Sequence, residues 1–239
     1  MSNRAFDLRR LLASVLDVLM PQDCLVCGEA AGACGVCTAC LADLPRRPPS
    51  ACPVCALPGL DGGPCGRCLR MPPAYDATLA LFDYVFPVDV LVLALKYRHQ
   101  LSVATFLAAE LSVLGERPAA DADFILPMPL HPRRLAERGF NQAVELARPL
   151  ARGQALPMEL ACVRKLRDTP PQALLGRDER LLSPAGAFCC DRVLDGLHVL
   201  VIDDVMTTGA TLDELARCLK AQGAARVTNL VVARTPAPA

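Results

Sequence analysis

The sequence predicts an α/β protein whose largely parallel sheet is flanked by helices and preceded by a small metal-bound module. Three observations carry this. Eight cysteines fall in a spacing that occurs twice. From Tyr75 onward, short apolar runs alternate with segments of helical period. One such run, in Val199-Leu200-Val201-Ile202-Asp203-Asp204-Val205-Met206-Thr207-Thr208-Gly209-Ala210-Thr211, leads straight into two adjacent carboxylates and a loop of small hydroxyl residues.

The first observation fixes the N-terminal third. Cys24, Cys27, Cys37 and Cys40 spell C-x2-C-x9-C-x2-C, and Cys52, Cys55, Cys65 and Cys68 repeat it without a gap, displaced by 28 residues. This is a duplicated four-ligand metal knuckle. Each C-x2-C turn aims two thiolates at one point, and two turns complete the closed tetrahedron that suits structural Zn²⁺. Segments this small bury too little apolar surface to fold unaided, so the metal supplies much of their folding free energy. Disulfides would need an oxidising compartment, for which no export signal argues. An iron–sulfur cluster is the other alternative, although the spacing differs from ferredoxin-type runs. Cys34 is unmatched, because Gly62 takes its place in the second repeat; a C-x2-C formed with Cys37 would be a competing register.

The second observation orders the rest. Pro45 to Pro53 links the two knuckles and Pro72-Pro73 closes the cysteine region. Thr78 to Val85 reads as strand, and Val88 to Tyr97 and Ser102 to Leu114 as helices. Asp123 to Met128 reads as a short buried strand, followed by an arginine-bearing loop, then a helix from Asn141 to Arg152. Cys162 to Arg167 is strand-like. Asp168 to Gly186, rich in Pro, Gly and charge, is loop. Leu197 to Ile202 and Ala225 to Ala233 are buried strands. Strands alternating with helices indicate a mostly parallel sheet. Cys162, Cys189, Cys190 and Cys218 read as packing residues, and His99 and His198 carry no partner signal.

Composition bounds the function. The chain has 239 residues, 53% of them apolar, and zero net charge. That is a globular profile, with no global attraction for nucleic acid, so DNA binding would need local basic patches. No apolar run is long enough to span a membrane. Near the N-terminus, Leu8, Leu11, Leu12, Val15, Leu16 and Leu19 suggest an amphipathic helix stopped by Pro21; Asp17 and the lack of a cleavage site argue against a signal peptide. The expected divisions are an amphipathic helix over 1–21, the metal module over 22–73 and the α/β domain over 74–239.

The third observation carries the chemistry. Leu212, Leu215, Ala216 and Leu219 form the apolar stripe of a helix starting near Gly209 or Ala210, with Asp213 and Glu214 in its first turn, Lys220 in its last and Gly223 just beyond. The loop Val205 to Thr211 therefore joins a strand's C-terminal end to a helix N-terminus, the edge at which open α/β sheets bind ligands. Backbone N–H groups and Thr hydroxyls there make a phosphate cradle, and paired acids suit two sugar hydroxyls. Together they describe a ribose 5-phosphate; a structural turn is the plainer alternative. No P-loop is present.

These thirteen residues resemble the phosphoribosyl-pyrophosphate (PRPP) signature of type I phosphoribosyltransferases. Pro127 to Gln142, PMPLHPRRLAERGFNQ, narrows the likeness. With the doubled C-x2-C region, it resembles the ComF family of competence-associated proteins. Cys65 to Asp76, Lys96 in ALKY, R-x-T-x-x-Q from Arg167 to Gln172 and Arg180 match as well. Ser183 departs from the family's pattern, where Asn is expected, which bears on the role of that loop. The likeness runs from about Cys24 to Arg234. It implies a type I phosphoribosyltransferase-like sheet preceded by a double zinc ribbon.

The resemblance also implies roles. Asp203 and Asp204 hold the ribose 2′- and 3′-hydroxyls, Thr207, Thr208, Gly209, Ala210 and Thr211 hold the 5′-phosphate, and Mg²⁺ bridges pyrophosphate and ribose oxygens. The residues themselves add cations for a polyanion: Arg133, Arg134 and Arg138 facing the pyrophosphate, Asn141 and Gln142 opening the next helix, and Lys96 and Arg167 closing over it. Asp203, Asp204 and Arg138 are the candidate catalytic residues. Displacement of pyrophosphate at ribose C1 by a nitrogen nucleophile is the implied reaction, with the 168–186 segment as a lid and no acceptor identified. The family implies a role in natural competence, DNA uptake or the use of incoming DNA, in the cytoplasm or at the inner face of the membrane through a DNA-translocating partner. The competing function is a non-catalytic module that senses PRPP or a nucleotide, or weakly binds single-stranded DNA. Arg46, Arg47, Arg67 and Arg70 form one basic cluster for that purpose and Arg133, Arg134 and Arg138 another.

Overall fold

The computed structural model describes residues 22–31, 34–59, 62–97, 100–168 and 186–237. The expected N-terminal helix, His99, and the lid with Gln172, Arg180 and Ser183 lie outside these residues. In chain order, β1 (Gln22–Asp23), β2 (Ala30–Ala31) and α1 (Thr38–Ala42) form the first knuckle, and α2 (Gly66–Arg70) closes the second. Then follow β3 (Ala77–Asp83), α3 (Val88–Tyr97), α4 (Leu101–Ala120), β4 (Phe124–Pro127), α5 (Pro132–Arg138) and α6 (Gln142–Gly153). The chain continues through β5 (Val163–Lys165), β6 (Phe188–Cys190), β7 (His198–Met206), α7 (Ala210–Ala221) and β8 (Arg226–Arg234).

The main sheet has four strands in the order β3-β8-β7-β4, and every pairing is parallel. Parallel sheets are covered on both faces, so their central strands read as unbroken apolar runs rather than alternating ones. The run from Val199 to Ile202 is fully buried for this reason. Its period of two still sorts the side chains by face. Leu200 and Ile202 join a core with α3, α4 and α6, while Val199 and Val201 join a second core with α7 and the small antiparallel pair β5-β6.

Each cysteine knuckle belongs to one of these cores. Cys24, Val36 and Leu44 pack into the first, and Cys52, Cys55, Cys68 and Tyr75 into the second. The proline-rich linker also has a structural use. Arg46 bridges Phe82, Asp83 donates to the Pro45 carbonyl at 2.9 Å, Arg47 donates to Leu81 at 3.0 Å, and Thr78 donates to Pro53 at 3.0 Å. The linker thus occupies the open edge of β3, which would otherwise present unpaired backbone groups.

Three elements and one residue differ from the sequence reading. The arginine loop is the helix α5: Pro132 takes its N1 position, the His131 ring accepts from the Arg133 N–H at 3.3 Å, and left-handed Gly139 ends it. α4 continues through Gly115 and Pro118 to Ala120 instead of stopping at Leu114. Gly115 is there for contact, since a Cβ would meet Leu230 at 2.6 Å and Leu150 at 2.7 Å. β7 runs on past Ile202 to Met206, so both acids lie within the strand. His198 is a buried bridge: Nδ1 donates to the Asp121 carbonyl at 2.8 Å and Nε2 meets the Thr228 hydroxyl at 2.9 Å. Of the four packing cysteines, Cys162 and Cys190 are buried and Cys189 and Cys218 half-buried.

Gly223 follows α7 at φ +94°, where a Cβ would run into Asp195 Oδ1 and lie 3.0 Å from the Asp195 Cα. Gly223→Ala meets both backbone strain and a backbone clash. We expect it to cost about 2 kcal/mol or more, read as a fall of roughly 4–8 °C in melting temperature.

Candidate functional site

The two cysteine tetrads have the geometry of zinc sites. In each, the four sulfurs lie within 4.8 Å of one another. A Zn–S bond of about 2.3 Å gives a tetrahedral S–S edge of roughly 3.8 Å. The Cys27–Cys37 and Cys55–Cys65 sulfurs stand 3.7 and 3.6 Å apart. The knuckle amides aim at the sulfurs in both copies: Cys37 N–H donates to Cys24 Sγ at 3.3 Å and Cys65 N–H to Cys52 Sγ at 3.2 Å. Cys34 stands outside, its thiol on the Val36 carbonyl at 3.3 Å. One difference separates the copies. Gly28, after Cys27, has φ +79°; its counterpart after Cys55 is Ala56, held at φ +55°. A left-handed alanine costs about 1–2 kcal/mol, so the second turn stores strain the first does not.

The second site lies at the C-terminal edge of the sheet. Because Asp203 and Asp204 are within β7, the pleat turns them to opposite faces. Asp204 shares the face of Leu200 and Ile202. Its Oδ1 lies 3.1 Å from Lys96 Nζ on α3, and its Oδ2 accepts from Gln142 Nε2 on α6 at 2.9 Å. Gln142 Oε1 in turn accepts from Arg138 at 2.6 Å, and the Arg138 guanidinium lies 5.4 Å from the centre of the Tyr97 ring. Burial works against the Lys96 charge, but the Asp204 carboxylate outweighs it and holds the amine's pKa above its ordinary value. Asp203 shares the face of Val199 and Val201 and accepts from the Asp204 N–H at 2.8 Å. Burial, then the Asp204 charge, pushes its carboxyl up to about 7.

The loop beyond is floored by two side chains. Gly209 caps α7 at φ +84°, and a Cβ there would meet Met206 Cε at 2.6 Å and Tyr75 Oη at 3.1 Å. The Ala210 N–H is turned onto Thr208 Oγ1 at 3.3 Å, and Ala210 and Thr211 form the first turn of α7. Behind the loop, buried Arg234 donates to the carbonyls of Met206 at 3.0 Å and Thr207. The leading residues of the α/β region lock onto α7 and β8: Ala74 N–H donates to Asp213 at 2.7 Å, and Asp76 exchanges bonds with Val227 at 2.9 and 2.7 Å.

The structure thus brings together Asp203, Asp204, Lys96, Gln142 and Arg138. The other predicted residues divide. Asn141 is an N-cap, accepting from Ala143 N–H and donating to the Met128 carbonyl, both at 3.0 Å. Arg133 pairs with Glu137 at 2.9 Å, and Arg134 with Asp168 at 3.0 Å; that partner holds the Asp168 carboxyl below its usual range. Arg167 is exposed, close to Gly186. Sequence reasoning missed Tyr75, Arg234 and Lys165. Lys165 lies opposite Phe188 in the β5-β6 pair with its amine 5.7 Å from that ring, and burial lowers its pKa against the pull of Asp203. Only the C-x-x-C-L…P-P-A-Y-D segment pointed toward Tyr75.

Comparison with known proteins defines the class first. Residues 15–69 match the Double zinc ribbon domain and residues 135–239 the Phosphoribosyl transferase domain. The molecule is a phosphoribosyltransferase-like protein carrying structural zinc sites. The DNA utilization protein YhgH of Salmonella typhi is 36% identical over 177 residues, covering 72% of this chain and 78% of its own. Competence protein F of Haemophilus influenzae is 29% identical, covering 71% and 78%. Competence protein ComFC of Bacillus subtilis is 34% identical, covering 59% and 57%. The chain belongs to the ComF family. No helix among the described residues is long and apolar enough to cross a membrane.

Two expectations follow from the sites. Protein purified without added zinc should contain two zinc ions per chain, one for each tetrad, and Cys27→Ser should lower that by one; iron with sulfide would contradict the assignment. The second concerns Asp203, whose folded pKa of about 7 stands above the carboxylate's unfolded value of roughly 3.9. In that window the native state keeps a proton the unfolded chain has released, so stability falls as pH rises through it. Asp203→Asn removes this loss. Its melting temperature should gain on the wild type progressively from about pH 4 to about pH 8; a constant difference would contradict the assignment.

Proposed function

We propose that this protein binds Mg²⁺–PRPP at the β7 edge and acts in the handling of incoming DNA. The observation that carries the reading is the acid pair at the end of a buried parallel strand, one turn before a glycine-capped helix N-terminus. The two carboxylates are acceptors at the sheet edge where ribose hydroxyls would donate. The loop below them offers hydroxyls and helix-end amides to a 5′-phosphate. Lys96 and Arg138 add positive charge on the α3 side, and the exposed pairing of Arg133 with Glu137 opposes ligand binding only weakly. Mg²⁺ would be held mainly by ligand oxygens, with Asp203 and Asp204 the protein carboxylates at this edge, and would offset the charge of the departing pyrophosphate. Asp203, Asp204, Lys96 and Arg138 would orient the ribosyl centre and steady the leaving charge. The names of the relatives, DNA utilization and competence proteins, support the DNA context.

Incubation with PRPP, Mg²⁺ and a panel of nucleobases, following pyrophosphate release, decides between turnover and binding without turnover. Asp203→Asn with Asp204→Asn should weaken Mg²⁺–PRPP binding at least about tenfold, or roughly 1.4 kcal/mol, by calorimetry. Equal affinity in a folded double mutant would remove the ribose-site reading.

A second reading, weak binding of single-stranded DNA, is favoured by α2. It exposes Arg67 and Arg70 beside Leu69 and Met71, which are 69% and 77% exposed. The other two arginines of that expected cluster are engaged: Arg46 pairs with Glu110 at 2.7 Å, and the Arg47 side chain is buried against Asp83. In fluorescence anisotropy, Arg67→Ala with Arg70→Ala should reduce the log–log salt slope by about 1.4, while saturating PRPP leaves DNA bound. No binding by the wild type at low salt would rule this reading out.

A further inference from the structure

We infer that Arg234 is a positioning residue that ties the phosphate loop to the metal-bound fold of the second cysteine knuckle. The inference rests on the reading of Thr207 to Thr211 as the phosphate site. Arg234 ends β8, pairs in register with Met206 of β7, and is 2% exposed. Its Nε donates to the Cys55 carbonyl at 2.9 Å. One terminal nitrogen donates to the carbonyls of Met206, Thr207 and Thr235, those of Met206 and Thr235 at 3.0 and 3.1 Å. One planar fork therefore joins the turn of a zinc-ligand residue to the backbone on which Thr207 and Thr208 ride.

Two physical facts make this more than packing. All four acceptors are carbonyl oxygens, none a carboxylate. A buried cation without an anionic partner is costly, and a zinc tetrathiolate carries a net charge of about −2. Among the charges around Arg234, that of Cys55 in the second tetrad most favours the guanidinium. In addition, Cys55 precedes strained Ala56, so the orientation of the Cys55 carbonyl depends on a turn that the metal holds in place. Tyr75 reinforces the link, lying in the same core as Cys52, Cys55 and Cys68 while its hydroxyl covers Gly209. The first knuckle has none of this. It packs in the other core, with Gly35 against Ser102 on α4.

The asymmetry gives the test. Arg234→Lys keeps the charge but loses the planar fork. It should retain both zinc ions, while hydrogen exchange of the amides from Met206 to Gly209 accelerates at least about tenfold and Mg²⁺–PRPP affinity falls by a similar factor. Cys55→Ser, which disables the second tetrad, should accelerate the same amides. Cys27→Ser, which disables the first, should lose one zinc and leave them unchanged. Loop exchange unaltered in Arg234→Lys, or raised equally by Cys27→Ser and Cys55→Ser, overturns the inference. Exchange needs no ligand, so faster exchange in a protein whose wild type fails to bind PRPP would sink the phosphate reading and leave the coupling standing.

Discussion

The register of β7 on β8 is the constraint on which the rest of this edge depends. Asp203 pairs with Val231, Val205 with Ala233 and Met206 with Arg234. The ladder therefore persists beyond the point where the apolar run gives way to charge. Extending the strand through the acids separates two like charges that sequence proximity would crowd together. A slip by one residue would exchange their faces and take Asp204 from Lys96 and Gln142. The register is held by burial of both faces of β7 from His198 to Ile202, so the chemistry at its end inherits its precision from the core.

Burial on both faces also explains why the cysteine module is not a detachable cap. One knuckle completes the α3-α4-α6 side and the other completes the α7 side, and the linker between them covers the β3 edge. The module wraps the sheet from one core to the other, and its metal-dependent folding becomes part of the stability of both layers.

Much of this was legible beforehand, for identifiable reasons. The metal tetrads were readable because ligand spacing is a local property: two turns and their repeat need no tertiary context. The α7 stripe and the buried centre of β7 were readable because periodicity and apolar runs report burial directly. α5 is less legible, although Pro132 and Gly139 mark its ends, because a helix of seven residues carries too short a periodic pattern to stand out. The end of α4 was misread because Gly115 looks like a stop, whereas it is small so that Leu150 and Leu230 can approach. Arg234 was invisible for a deeper reason. A strand-terminal arginine is ordinarily a surface residue, and only the meeting of three distant segments makes it a core one. Asn141 and Gln142 were read alike but diverge, since the first spends its side chain on its own helix and the second is carried inward to Asp204.

The left-handed turn after the second C-x2-C bears on how a duplicated unit loses its symmetry. The two copies keep the same four ligands at the same spacing, so their intrinsic metal chemistry is equivalent. Their surroundings are not. Gly28 faces open space and is free to relax, whereas Ala56 is buried in a conformation that alanine resists. The first copy's turn keeps the glycine that its left-handed conformation requires and meets no neighbour, so it reaches the sheet only through the first core. The second is committed, since any drift in its backbone is felt where the ligand would sit. Repetition in the chain has in this way given one template two settings, one against each core.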